Sequence, residues 1–459
     1  MTAEREPARR QRVYARIMSS THRRWWGGPL DAEQLARSAV HRMRDAAAEL
    51  AAARGLDLHL ETSDEQIAAS FAAIDHLRID GRVPHSWGEF SGFVAARDGW
   101  VRLHGNYPHH AAVLSELLSV RDRAGLEREI GRREASEVEE QVSAAGGIAV
   151  AVRTEQQWRA HPQAQATAQD PWVRVEDRGE RPALGPVRAV PGTGVNAGTA
   201  RGDSAAGGRG APESLPLDGV RVLDLTRVIA GPTCTQLLAC LGADVLRIDP
   251  PHRPELLDQH LSTGMGKRSA LLDLRRRGDA ERLRALAAEA DVILDGYRPG
   301  ALAGHGLGTR DLEQLAPQAV IVSLSAWGEH GLWGQRAGFD SIVQAATGIA
   351  VRCGNSDRPG ALPVQALDHS SGHLLAAHIL ESLAWGRAVT VRVSLLGAAR
   401  KLLALPSPAG EPGGLDVLRV RVPSASGPLD AVPPPLLLDG RTLERPVGRY
   451  GTSRARWIA

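Results

Sequence analysis

In the second half of this 459-residue chain, short unbroken apolar runs alternate with stretches of helical period. VRVLDL (220–225) is a run of the kind that forms a strand buried on both faces of a parallel sheet. TRVIAGP follows as a loop, TCTQLLACLGA as a helix and DVLRIDPP, from Asp244, as the next strand. The same alternation recurs: a helix at DAERLRALAAEA (279–290), a strand at DVILDGY (291–297), a helix at TRDLEQLAP and a strand at QAVIVSLSAWG (318–328). Four strand–helix alternations predict the α/β class, with a Rossmann-like parallel sheet flanked by helices. The first half predicts a smaller, mostly helical α+β portion. DAEQLARSAVHRMRDAAAELAAAR (31–54) carries Ala and Leu at helical spacing behind an acidic first turn. DGWVRLHG (98–105) reads as a strand, NYPHHAAVLSELLSV as a helix, and REASEVEEQVSAA (133–145) as a helix stopped by Gly146-Gly147. IAVAVRT and TEQQWRAHP add a strand and a helix, and His109-His110 read as surface or helix-start residues.

Between the halves, residues 190–215 are rich in Gly, Ala, Ser and Pro, which is linker composition. The expected division is 1–189, 190–215 and 216–459. Charge is close to balanced, 55 basic against 53 acidic residues, which excludes a general nucleic-acid binder. Lys267 and Lys401 are the two lysines, so the basic residues are nearly all Arg, a bias that lowers the weight of any single one. Cys234, Cys240 and Cys353 form no CxxC pair and no zinc spacing, and read as small buried thiols in a reducing compartment. With no apolar run of about 18 residues and a charged start, MTAEREPARRQRVYAR, the expectation is a cytoplasmic protein without a membrane partner. The first loop, RVIAGP, is not GxGxxG, so a nicotinamide enzyme is disfavoured although Asp249 ends the second strand.

One stretch carries a chemical question. In VQALDHSSGHLLAAH (364–378) an apolar run stops at a single carboxylate, Asp368, with a helix expected after Ser370, Ser371 and Gly372. Two readings stand. Asp is a preferred helix cap, worth about 1 kcal/mol. Asp is also a nucleophile that needs no general base, being ionised near pH 7 at an ordinary pKa of about 3.9. His369 and His373, spaced i,i+4, lack the intervening Glu and third ligand of a metal site, so no metal is expected.

PLDGVRVLDLTRVIAGPTCTQLLACLGADVLRID (216–249), GKRSALLDLR (266–275), ADVILDGYRPGAL (290–302), GFDSIVQAATG (338–348), ALDHSSG (366–372) and GRAVTVRVSLLGAA (386–399), in series, resemble the family III CoA-transferases, the formyl-CoA and carnitine CoA-transferase group. DGWVRLHGNYPHHAAVLSEL (98–117) and VSAAGGIAVAVRTEQQWRAHPQ (142–163) resemble later segments of the same family, so the chain reads as a fusion of two incomplete units in unusual order. The resemblance implies a Rossmann-like core and transfer of coenzyme A from an acyl-CoA to a carboxylic acid through a covalent adduct on Asp368. It implies no permanently bound cofactor; coenzyme A enters as part of the substrate. Family members form interlocked dimers, so a homodimer or pairing with a homologous subunit is expected.

The resemblance assigns coenzyme A contacts to Val228, Ile229 and Ala230, to Lys267 and Arg275, and to Tyr297, Arg298 and Ala301, with Asp340 as catalytic support. Arg275 suits a phosphate and Tyr297 could stack on adenine. Three departures stand out. Ile229 occupies the place of a glutamine that holds intermediates in formyl-CoA transferase, which disfavours oxalate-type acids. The mobile glycine-rich loop is reduced to AGEPGG (409–414). Phe339 stands where the racemase branch has a histidine, so a two-base α-proton transfer would lack one base. A racemase or epimerase on the same fold, and a non-catalytic subunit, are the alternatives.

Overall fold

The computed structural model describes residues 24–187 and 214–458. The linker expected over 190–215 lies outside the described residues up to 213, as do residues 1–23. The first half opens with α1 (Ala32–Ala53), capped by Asp31, whose side chain accepts the Gln34 N–H. β1 (Leu60–Glu61) and α2 (Asp64–Phe71) follow. β2 (Gly92–Ala95), β3 (Trp100–Leu103) and β4 (Ala149–Ala151) then form an antiparallel sheet. It packs against α3 (Pro108–Leu117), α4 (Arg123–Ile130) and α5 (Ala135–Ala144) around Val101, Leu103, Leu114, Leu126 and Val138. β5 (Val173–Glu180) ends this half.

The second half builds the main sheet. Its elements are β6 (Arg221–Leu225), α6 (Ala230–Cys240), β7 (Asp244–Asp249), α7 (Leu257–Thr263), β8 (Arg268–Leu271), α8 (Arg277–Ala288), β9 (Val292–Asp295), α9 (Thr309–Leu315) and β10 (Val320–Ser325). α10 (Asp340–Thr347), α11 (Ala366–Ala384), β11 (Arg387–Ser394), α12 (Leu395–Leu403) and β12 (Leu437–Leu438) follow. The sheet has seven strands in the order β5-β11-β10-β9-β6-β7-β8. Six are parallel, and their apolar runs are buried because helices cover both faces. The α/β, Rossmann-like expectation holds.

The halves are interleaved. The seventh strand, β5, comes from the first half and runs antiparallel to β11, from Val173 opposite Val393 to Glu180 opposite Arg387. β1 pairs with β12, Leu60 opposite Leu438. α1 lies along α11, burying Leu35, Val40, Met43 and Leu50 in one core with Leu375, Ile379 and Leu383. At its edge the Arg42 guanidinium grips Glu381 through bonds of 3.0 and 2.9 Å. Arg54, just beyond α1, donates to the carbonyls of Gly185, Pro216 and Asp218. Both flanks of the undescribed segment are thereby held by one side chain. Among the described residues no helix is long and apolar enough to cross a membrane.

Candidate functional site

Asp368 sits in the first turn of α11, and that helix starts earlier than its sequence suggests. It begins at Ala366 and runs without a break through Ser370, Ser371 and Gly372. Serine and glycine are weak helix formers, yet here all three are buried, and packing overrides propensity. Gly372 has a steric reason: a Cβ placed on it would stand 2.4 Å from the carbonyl oxygen of Ala230, so α6 and α11 cross closer than any side chain allows.

The capping role belongs to a different aspartate. Asp368 is the third helical residue, and Gln365 before the helix makes no side-chain cap. Asp340, at the start of α10, accepts the Asp368 backbone N–H at 3.0 Å and that of Leu367 as well. It is held by Gln344 Nε2 at 2.5 Å, and Gln344 Oε1 in turn accepts the Leu362 N–H. Two orphan donors at the start of α11 are thus satisfied from a neighbouring helix. This leaves the Asp368 carboxyl free to face outward.

The electrostatics differ from the sequence expectation. Asp340 is fully buried, and burial pushes its carboxyl up to about 6. Asp368 is 6% exposed; burial and the neighbouring Asp340 charge push it well above the ordinary carboxylate range. The expected ordinary, freely ionised carboxylate is therefore corrected. Asp368 is a desolvated acid, and its ionised form has lost the water that makes carboxylates sluggish.

Asp368 opens onto a cleft of about 240 Å³. Arg227, Arg253, Arg298 and Arg336 line it, and Asp368 is the one acid among the lining residues. The side chains of Arg253 and Arg298 are exposed and make no hydrogen bond or ion pair among the described residues. Tyr107, His109 and His110 supply the opposite wall from α3, in the first half. His110 is held neutral, its ring driven down to about 3 by burial and the cations around it. The cleft is therefore suited to an anionic ligand longer than a single carboxylate.

The sequence-derived contact residues divide. Val228, Ala230, Tyr297, Arg298 and Ala301 line the cleft with Asp368. Ile229 faces the other way, into a chamber of about 40 Å³ behind α11 that it shares with His369 and His373. Those two histidines are buried against Phe71 at ring distances of 5.1 and 5.6 Å, and burial drives them down to about 4 and about 3. Lys267 is buried, paired with Asp224 at 3.3 Å and bonded to the Pro232 carbonyl at 2.8 Å, away from the cleft. Arg275 points into solvent and is paired with Asp273 at 2.8 Å. Phe339 lines the cleft and stacks on His104, their ring centres 3.9 Å apart. Sequence reasoning missed Tyr107, His109, His110, Arg227, Arg253 and Arg336 as cleft residues. The histidine pair and the arginines were visible as types, but nothing local marked them.

Fold and site define an α/β protein with a desolvated carboxylate on the floor of an arginine-lined cleft. Residues 217–410, the part of the chain that holds Asp340 and Asp368, match the sequence profile of CoA-transferase family III. The chain is 36% identical over 182 residues to the "Probable fatty acyl-CoA transferase Rv3272" of Mycobacterium tuberculosis, covering 37% of this chain and 46% of that protein. It is 35% identical over 161 residues to the succinyl-CoA:glutarate CoA-transferase of Homo sapiens, covering 32% of this chain and 37% of that one. The chain thus spans about half the length, or less, of these curated relatives. The crystal structure of Rv3272 in its orthorhombic form aligns at 35% identity over 42% of this chain and 56% of that one, with a TM-score of 0.39.

Proposed function

We propose that the protein transfers coenzyme A from an acyl-CoA to a carboxylic acid, with Asp368 as the nucleophile. The observation that carries the reading is the placement of Asp368, one acid on the floor of a cleft whose other charged groups are cations. An acyl-CoA is polyanionic at its nucleotide end. Arg253 and Arg298, free of protein partners among the described residues, suit its phosphates, and Tyr297 beside them offers a ring. Val228, Ala230 and Ala301 are small or apolar enough to leave a channel toward Asp368.

In this reading an Asp368 oxygen attacks the thioester carbonyl. The C–S bond breaks, coenzyme A leaves as thiolate, and an acyl-aspartyl anhydride remains. The thiolate attacks the aspartyl carbonyl, which releases the donor acid and leaves an aspartyl thioester. An acceptor carboxylate then repeats both steps in reverse, so atoms and charge balance. Asp340 is a positioning residue: its hold on the Leu367 and Asp368 amides fixes where the nucleophile sits. Succinyl-CoA and glutarate, named for the human relative, belong in the first substrate panel.

We further infer that the two halves make one transferase unit in rearranged order, rather than two incomplete ones. Supporting this, the cleft has one wall from each half, and β5 completes the sheet built by the second half.

The test is intact-protein mass spectrometry after incubation with a panel of acyl-CoAs, with hydroxylamine trapping, on wild type and Asp368→Ala. A hydroxylamine-sensitive adduct on wild type, mapped to Asp368 and missing from the variant, is expected. Turnover of any donor by Asp368→Ala at the wild-type rate would overturn the assignment.

A further inference from the structure

The loop between β6 and α6 contains a conformation that its sequence does not favour. Val228 has a φ of +69°. This left-handed region is costly for a β-branched residue and persists only where the surroundings impose it. Val228 is also a cleft residue, two positions before Ala230, where α6 begins. The question is what imposes the conformation and to what end.

Both backbone groups of Val228 are gripped by side chains from the segment after β7. Its N–H donates to Glu255 Oε2 at 3.0 Å. Its carbonyl accepts from Gln259 Nε2 at 2.7 Å. Glu255 is itself immobilised. Arg247 Nη2 donates to Oε2 at 2.7 Å, while the Leu256 N–H (2.9 Å) and the Tyr107 hydroxyl donate to Oε1. Glu255 is buried, yet Arg247 and Arg227 outweigh burial and hold it at about 2, so it stays an acceptor. Gln259 is fixed on α7, one turn from Glu255. The grip therefore joins β7, α7 and, through Tyr107, the first half of the chain, at one strained residue on the cleft wall.

We propose that Glu255 and Gln259 are positioning residues for the acyl-CoA, clamping Val228 in its left-handed turn so that Val228 and Ala230 present the cleft wall beside Asp368. The proposal rests on the reading of the cleft as an acyl-CoA site. Glu255 and Gln259 touch no substrate in this scheme; they act through the backbone of Val228. Without the clamp the loop relaxes to an unstrained φ, and the wall moves. A glycine at position 228 would hold the same turn without help, because glycine enters the left-handed region freely.

That difference gives the experiment. Wild type, Gln259→Leu, Val228→Gly and the double variant are compared by three measurements. These are hydrogen exchange of the peptide around residues 226–232 in the unliganded protein, calorimetric binding of coenzyme A, and KM and kcat with a donor acyl-CoA. A melting curve for each confirms folding. Gln259→Leu is expected to exchange at least tenfold faster in that peptide. It should also bind coenzyme A and acyl-CoA about tenfold more weakly, as loss of one well-placed hydrogen bond implies, with kcat within twofold. In the Val228→Gly background the same substitution should cost less than threefold. Equal costs in both backgrounds overturn the proposal, as does unchanged exchange or unchanged affinity in Gln259→Leu. A wild type that binds no coenzyme A overturns the reading of the cleft and this proposal with it. A wild type that binds normally beside an unaffected Gln259→Leu overturns the clamp alone.

Discussion

Replacing Gly372 with alanine tests the link between helix packing and the cleft. The added Cβ would lie 2.4 Å from the Ala230 carbonyl oxygen and 3.1 Å from Thr233 Cβ. An ordinary carbon–oxygen contact starts near 3.4 Å, so α6 and α11 must separate by about 1 Å. Overpacking of this kind costs about 1–3 kcal/mol, and the better helix propensity of alanine returns about 1 kcal/mol. The net destabilisation is about 0–2 kcal/mol, a fall of at most a few degrees in melting midpoint for a chain of this size. Function should suffer more. Ala230 is on the cleft wall and Gly372 is one turn from Asp368, so the shift falls between the proposed nucleophile and the cleft it faces. A displacement of about 1 Å at reacting groups can cost up to about 100-fold. Thermal melting and kcat/KM with one good donor acyl-CoA are the assays. Gly278→Ala is the control, because a Cβ there meets nothing within 4 Å, and that variant should melt no lower than wild type with unchanged kinetics. If Gly372→Ala also melts at or above wild type with kcat/KM within twofold, the close crossing of α6 and α11 does not govern the site.

Two further outcomes follow from the charges and the chain order. Asp368 has its pKa raised by folding, so the native state is penalised where the group is ionised, above the folded pKa, and escapes the penalty as pH falls toward the ordinary carboxylate value. Asp368→Asn should therefore melt higher than wild type near pH 8, with the gap closing toward pH 4; melting curves across that range check it, and a gap that widens in acid would contradict the burial argument. For the same reason the acid limb of kcat/KM should lie above the ordinary carboxylate range. Cleavage at a protease site engineered between residues 199 and 200 should leave two fragments that co-elute on size exclusion and keep their turnover, since β5–β11 and α1–α11 join the halves without the linker; separation of the fragments would refute the single-unit reading.

What the sequence disclosed depended on how local the cause was. The runs at 220–225, 291–297 and 318–328 are apolar because helices cover both faces of a parallel sheet, and a short window contains that fact. Asp368 stood out because a charge between apolar segments is locally odd. The start of α11 did not stand out, because its cap is Asp340, 28 residues earlier, and burial rather than propensity makes Ser370 to Gly372 helical. Lys267 drew attention by rarity, but its partner Asp224 lies on another strand, and the pair is internal. Arg275 has its partner two residues away at Asp273, a signal that was present and outweighed by residue type. Tyr107, His109 and His110 line the cleft with Asp368 from some 260 residues away in the chain, and contacts between the halves, Tyr107 on Glu255 and His104 on Phe339 among them, bring that wall into place.

The grip of Arg54 bears on why the two halves can be written in this order. Its guanidinium takes carbonyls on both sides of the 26 residues from 188 to 213, so the chain leaves the described structure and returns to it within the reach of one side chain. A segment of that length could span up to about 90 Å if extended. Its length is therefore not set by the distance between its ends. The geometry comes from the contacts themselves: β5 on β11, β1 on β12, α1 along α11, and Tyr107 on Glu255. Three of these bury apolar surface or complete a sheet, and the fourth reaches the loop that carries Val228. A half expressed alone would expose the face of α11 that α1 covers and leave Glu255 without its Tyr107 donor. The cleft thus takes its lining from both halves, as the proposed single unit requires.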